Sequence, residues 1–100
     1  MTNLTPEEIR ARAIVQQRRA ILETMMLLYP NALGFPLICS TFIDTDRTYI
    51  MRDLAYLLDK NFVQLTNPKP NQAWDDKMFR LSSAGVEIAQ RITSDPSLTP

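Results

Sequence analysis

Residues 77–92 read KMFRLSSAGVEIAQRI, and the way this stretch is divided decides the fold. Met78 to Leu81 carries the pattern of an extended segment, whereas apolar residues recur at helical spacing from Val86 to Ile92. Only Ser82, Ser83 and the Ala84-Gly85 pair lie between. A strand therefore passes almost directly into a helix, with Ser82 or Ser83 as its cap. Val86 or Ala89, Ile88 and Ile92 are the side chains that helix turns inward.

Immediately upstream, FVQLTN (62–67) alternates Phe62, Val63 and Leu65 with polar residues, and PKPNQAWDDK (68–77) is a polar loop with two prolines. Together with MFRL this predicts a long-looped β-hairpin over 62–81. Before the hairpin, DTDRTYIMRDLAYLLDKNF predicts a helix over 46–60, capped by Asp44, Thr45 or Asp46. Ile50, Leu54, Leu57 and Leu58 share one of its faces. Thr48, Arg52, Ala55, Tyr56 and Asp59 lie opposite. Asn61 follows the last turn, where a residue tolerant of the left-handed conformation can end the helix. FPLICSTFI (35–43) is short, apolar and bounded by turn residues, so periodicity alone allows strand or helix; Pro36 at a first-turn position favours helix.

The N-terminal helix is announced by LTPEEI: Thr5 as cap, Pro6 at the first helical position, Glu8 as the capping-box acid, and Leu4 with Ile9 as a hydrophobic staple. No breaker follows until YPNALG, which predicts a helix over 6–29, about 36 Å long at 1.5 Å per residue. Its second half, AILETMMLLY, is apolar on nearly every side and is expected to be surrounded. Its first half carries Ile9, Ala13, Ile14 and Val15 among four arginines and two glutamines.

With 100 residues, 45% of them hydrophobic, the chain suffices for one core. The expectation is a single domain over 1–93 and a flexible tail over 94–100. Eleven basic residues balance eleven acidic ones, so bulk charge draws the chain to neither nucleic acid nor anionic membrane. One cysteine, Cys39, cannot form an intramolecular disulfide and reads as a free core thiol. The opening lacks the basic-then-apolar order of a signal peptide, and no apolar run approaches the roughly 20 residues of a membrane span, so a cytoplasmic protein is expected. There is no histidine, which removes serine–histidine and cysteine–histidine nucleophile pairs and histidine metal sites. The acid pairs Asp75/Asp76 and Asp44/Asp46 bring no further ligands, and two glycines cannot form a nucleotide-binding fingerprint. No enzyme activity, catalytic residue, metal site or cofactor is expected.

The order of long helix, short helix, helix, hairpin and helix resembles the winged helix-turn-helix superfamily. RDLAYLLDKNFVQL is similar to that family's third helix and first wing strand, and FRLSSAGVEIA to the strand, serine turn, glycine and helix that close many such domains. The resemblance spans about 20–92. It departs from the family pattern at Asn61, where a glycine is usual, and in a wing loop rich in proline with an acidic pair. The opening MTNLTPEEIRAR is also similar to small proteins of Mu-like phages and prophages. The resemblance implies an α+β, mainly helical domain: a winged helix-turn-helix with a long N-terminal helix, a two-stranded wing and a C-terminal helix. It further implies a cytoplasmic duplex-DNA-binding protein, in a phage setting a transcriptional regulator or DNA-associated factor. The alternative is a winged-helix adaptor that docks proteins.

Mapped onto this chain, the family's third helix would offer Arg47, Thr48, Tyr49, Arg52 and Tyr56 to DNA. Lys69, Lys77 and Arg80 would serve the wing. Arg52 is the candidate two-toothed guanine contact; the bland reading is that it pairs with Tyr56, Asp59 or solvent. Trp74 in the loop is the candidate anchor for a protein partner, or else it folds back over the root of the hairpin. Ile9, Ala13 and Ile14, running to Arg18, form a sparse apolar stripe through which the long helix could pair as a homodimer. The expected core is Ile21, Leu28, Leu37, Ile38, Phe42, Ile50, Leu54, Leu57, Leu58, Val63, Phe79, Leu81 and Ile88.

Overall fold

The computed structural model describes residues 4–91; Ile92 and the tail expected over 94–100 lie outside the described residues. The chain runs through helix α1 (Pro6–Leu28), strand β1 (Leu33–Gly34), helix α2 (Phe35–Thr41), helix α3 (Arg47–Asp59), strand β2 (Val63–Leu65), strand β3 (Met78–Leu81) and helix α4 (Ser83–Arg91), with a 3₁₀ turn at Trp74–Asp76 inside the β2–β3 loop. It is an α+β arrangement, mainly helical. No helix among the described residues is long and apolar enough to cross a membrane.

The starts of the helices follow from their caps. Thr5 Oγ1 accepts the amide of Glu8 at 3.2 Å, with Pro6 at the first turn. Of the three candidates before α3 it is Asp46 that caps, its Oδ1 accepting from the Thr48 amide at 2.8 Å. That hydrogen bond to the ionised form holds the Asp46 carboxyl below its usual range. Asn61 adopts a left-handed φ of 62° just past α3, which lets Phe62 enter the sheet.

β3 is the central strand, antiparallel to both neighbours: Val63, Gln64 and Leu65 stand opposite Leu81, Arg80 and Phe79, while Leu33 and Gly34 stand opposite Phe79 and Met78. The third strand, β1, was not expected. Two residues cannot show a period of two, so only the pairing with β3 reveals it.

The junction between β3 and α4 is built from Ser82. Its amide donates to Phe62 O at 3.1 Å, its hydroxyl donates to Asn61 O, and its Oγ accepts the Gly85 amide at 3.0 Å. Strand and helix can be consecutive because one serine ends the first and caps the second. Gly85 completes the joint: a Cβ there would lie 1.8 Å from Phe62 O, closer than any side chain allows.

The core joins Ile21, Leu22 and Met25 of α1, Leu33, Phe35, Ile38, the α3 stripe Ile50, Leu54 and Leu57, then Phe62, Val63, Phe79, Leu81 and Ala89. Phe42, Leu58, Val86 and Ile88 are half-buried against it. Two expected core residues lie on the surface instead: Leu28 is 44% and Leu37 52% exposed. α2 turns Phe35 and Ile38 inward, which leaves Pro36 and Leu37 between them on the outer side. The second half of α1 is not fully surrounded either, because Leu27 is 85% exposed.

Candidate functional site

α3 begins beside the hairpin loop. Arg47, the first residue after the cap, donates from Nη2 to Asp75 Oδ1 at 2.7 Å, and its guanidinium carbon lies 5.1 Å from the Phe35 ring centre. The pair clasps the start of α3 to the 3₁₀ turn. It is an exposed pair, with both side chains more than half accessible, so it fixes loop position more than it adds stability.

One turn further, the α3 face turned to α1 carries a charge cluster. Asp53 is fully buried. Its Oδ1 accepts from Arg18 Nε of α1 at 3.3 Å and from Arg52 Nε at 3.2 Å, and Oδ2 accepts from Arg52 Nη2 at 3.4 Å. A carboxylate without solvent is tolerable only when paired and hydrogen-bonded, and two guanidinium groups supply that here. Arg18 also lies over the Tyr56 ring at 3.6 Å, with Lys60 Nζ on the same ring at 5.8 Å. Arg52 stands 5.0 Å from the Tyr49 ring centre.

Between the first half of α1 and α3 is a groove of about 260 Å³, lined by Arg10, Ala13, Ile14, Gln17, Tyr49 and Arg52. Gln17 Nε2 is buried and has no hydrogen-bond partner among the described residues. No group of three or more potential metal-ligating side chains occurs among the described residues. The Cys39 thiol is half-buried, and desolvation pushes its pKa up, with Arg47 acting in the opposite sense.

The structure separates the sequence-predicted residues by exposure and by neighbour. Thr48, Tyr49 and Arg52 are exposed on α3 and Lys69 on the loop. Tyr49 and Arg52 meet Ala13 and Ile14, two residues of the expected α1 stripe, across the groove; the sequence reading had kept the two sets apart. Ile9 lies outside the groove and is 54% exposed. Tyr56 and Trp74 are half-buried. Tyr56 lies under Arg18 rather than facing outward, and the Trp74 indole packs 5.2 Å from Phe35 and 5.9 Å from Phe79 between ring centres. Trp74 therefore covers the root of the hairpin. Lys77 sits 5.6 Å over the indole, and Arg80 is half-buried on the central strand.

Asp53 and Arg18 were missed as a site. The signal was present: Asp53, three residues after Ile50, falls in the row Ile50, Asp53, Leu54, Leu57, so packing that row inward buries a carboxylate that demands a cation. No protein-family model, no curated protein and no solved structure matches the chain.

Proposed function

We propose that the chain is a winged helix-turn-helix domain that binds duplex DNA with the outward side of α3 and the β2–β3 loop. The order of helices and hairpin is the one the sequence resemblance implies, and it supports this reading. The observation that carries it is the setting of Arg52. Its side chain is 41% exposed while a fully buried carboxylate holds its guanidinium. A guanidinium has five N–H donors, and Asp53 takes two of them. Among the described residues no other acceptor takes the remaining three, which leaves them available to a base edge with the plane already oriented. Thr48 beside it is exposed and Lys69 extends from the loop, as a base or phosphate contact and a phosphate contact respectively.

A second reading, a docking domain for proteins, is favoured by one observation: Arg47 is already committed to Asp75, on a chain of zero net charge. Between Arg47 and Arg80 six basic residues face four acids, a surplus that releases few counterions. Duplex binding is accordingly expected to be poor at physiological salt and to strengthen steeply as salt falls.

Fluorescence anisotropy of labelled duplexes across ionic strength tests both readings. Arg52→Ala is expected to cost about 1 to 3 kcal/mol and to relax sequence preference, whereas Lys69→Ala weakens all duplexes alike and flattens the salt slope. Absence of any duplex binding at low salt removes the DNA reading and leaves the docking one.

A further inference from the structure

α1 carries a surface row that the described residues leave largely uncovered. Ile9, Ala13, Gln16, Ala20, Glu23 and Leu27 are spaced alternately four and three residues apart, which at 3.6 residues per turn places them along one line of the helix. The line lies on the side opposite the buried Ile21, Leu22 and Met25. Leu27 is 85% and Ile9 54% exposed, Ala13, Gln16 and Glu23 are exposed as well, and Ala20 is half-buried. It differs from the stripe expected from sequence. Ile14 is half-buried in the groove beside α3 and Arg18 is pinned to Asp53, so neither belongs to the open side.

We propose that a second copy of the chain covers this row, with its α1 antiparallel to the first. The order of residues is self-complementary. Laid antiparallel about the midpoint between Gln16 and Ala20, Ile9 of one copy meets Leu27 of the other, Ala13 meets Glu23, and Gln16 meets Ala20. The two large apolar side chains thus cover each other at both ends, while alanines in the middle let the backbones approach. A twofold axis perpendicular to the helix pair also brings like flanks together. Arg12, which has no ion pair among the described residues, then falls beside Glu23 of the other copy, and Glu23 is half-exposed despite its contact with Arg19 at 3.6 Å. Parallel pairing would instead set Glu23 on Glu23. The interface is isologous, as closed dimers require. It spans about 27 Å at 1.5 Å per residue, at the small end of specific interfaces, so reversible association in the micromolar range is expected.

Sedimentation of the full chain over a concentration series, without DNA, tests this separately from the DNA reading. The parent is expected to pass from monomer to dimer. Leu27→Glu and Ile9→Glu, both at exposed positions, should leave the circular dichroism spectrum of the folded chain unchanged and raise the dissociation constant by more than about tenfold, since each would bury an unpaired charge. Arg12→Glu should weaken the dimer, and Arg12→Glu with Glu23→Arg should restore it. Three outcomes overturn the proposal: a parent that stays monomeric at every concentration, a dimer indifferent to Leu27→Glu, or a double reversal weaker than the single one.

Discussion

Asp53 lies within α3 and Asp46 caps its start, and their surroundings give the two carboxylates opposite energetic characters. Asp53 sees no solvent and holds two arginines. Asp53→Ala leaves Arg18, only 16% exposed, without its counter-charge. Breaking a buried pair in this way costs about 3 kcal/mol or more, and urea unfolding of the variant should show a loss of that order. Asp46 is fully exposed and acts through one hydrogen bond to the Thr48 amide. Because that bond lowers its folded pKa, the cap contributes fully above the unfolded value of about 3.9 and is lost as pH falls through the lower folded value. Asp46→Asn keeps an acceptor for the amide, so its acid melting curve should lack this part of the parent's pH dependence while the two coincide near neutrality.

At the scale of elements, the joints are fixed more tightly than the elements themselves. α4 starts where it does because Ser82 and Gly85 clamp it to Asn61 and Phe62. Gly85→Ala would gain helix propensity of about 1 kcal/mol but drive a methyl group into a backbone carbonyl. Overpacking against backbone outweighs that gain, and a net loss on the order of 3 kcal/mol is expected in thermal or urea melts. Much of this was legible in the sequence. The Thr5 cap, the left-handed Asn61 and the α3 stripe are set by local chemistry that a linear reading can see, while the α3 cap narrows only to Asp44, Thr45 or Asp46 and the junction to Ser82 or Ser83. What escaped it depends on partners distant in the chain: β1 exists only through Phe79 and Met78, and Leu37 faces outward because Phe35 and Ile38 take the inward positions. The candidate site was legible in the same uneven way. Exposure of Arg52 follows from the stripe behind it, but its support by Asp53 and the presence of Arg18 depend on how α1 crosses α3.

For the whole molecule, α1 is the element whose length exceeds what the core uses. The buried residues of α1 are Ile21, Leu22 and Met25, and its first half runs beside the start of α3, forming the groove of Tyr49 and Arg52. The described residues extend 49 Å along the longest axis and 21 Å along the shortest, an elongation that the 23-residue helix accounts for at about 34 Å. That helix and α3 meet at one carboxylate, since Asp53 serves Arg18 on the first and Arg52 on the second. Any ligand that draws Arg52 away from Asp53 leaves the whole negative charge to Arg18 and tightens that contact. Any displacement of α1 that loosens Arg18 strengthens the hold on Arg52. Equilibrium linkage makes such an effect reciprocal: the factor by which an event on α1 changes affinity at Arg52 equals the factor by which occupancy at Arg52 changes the event on α1.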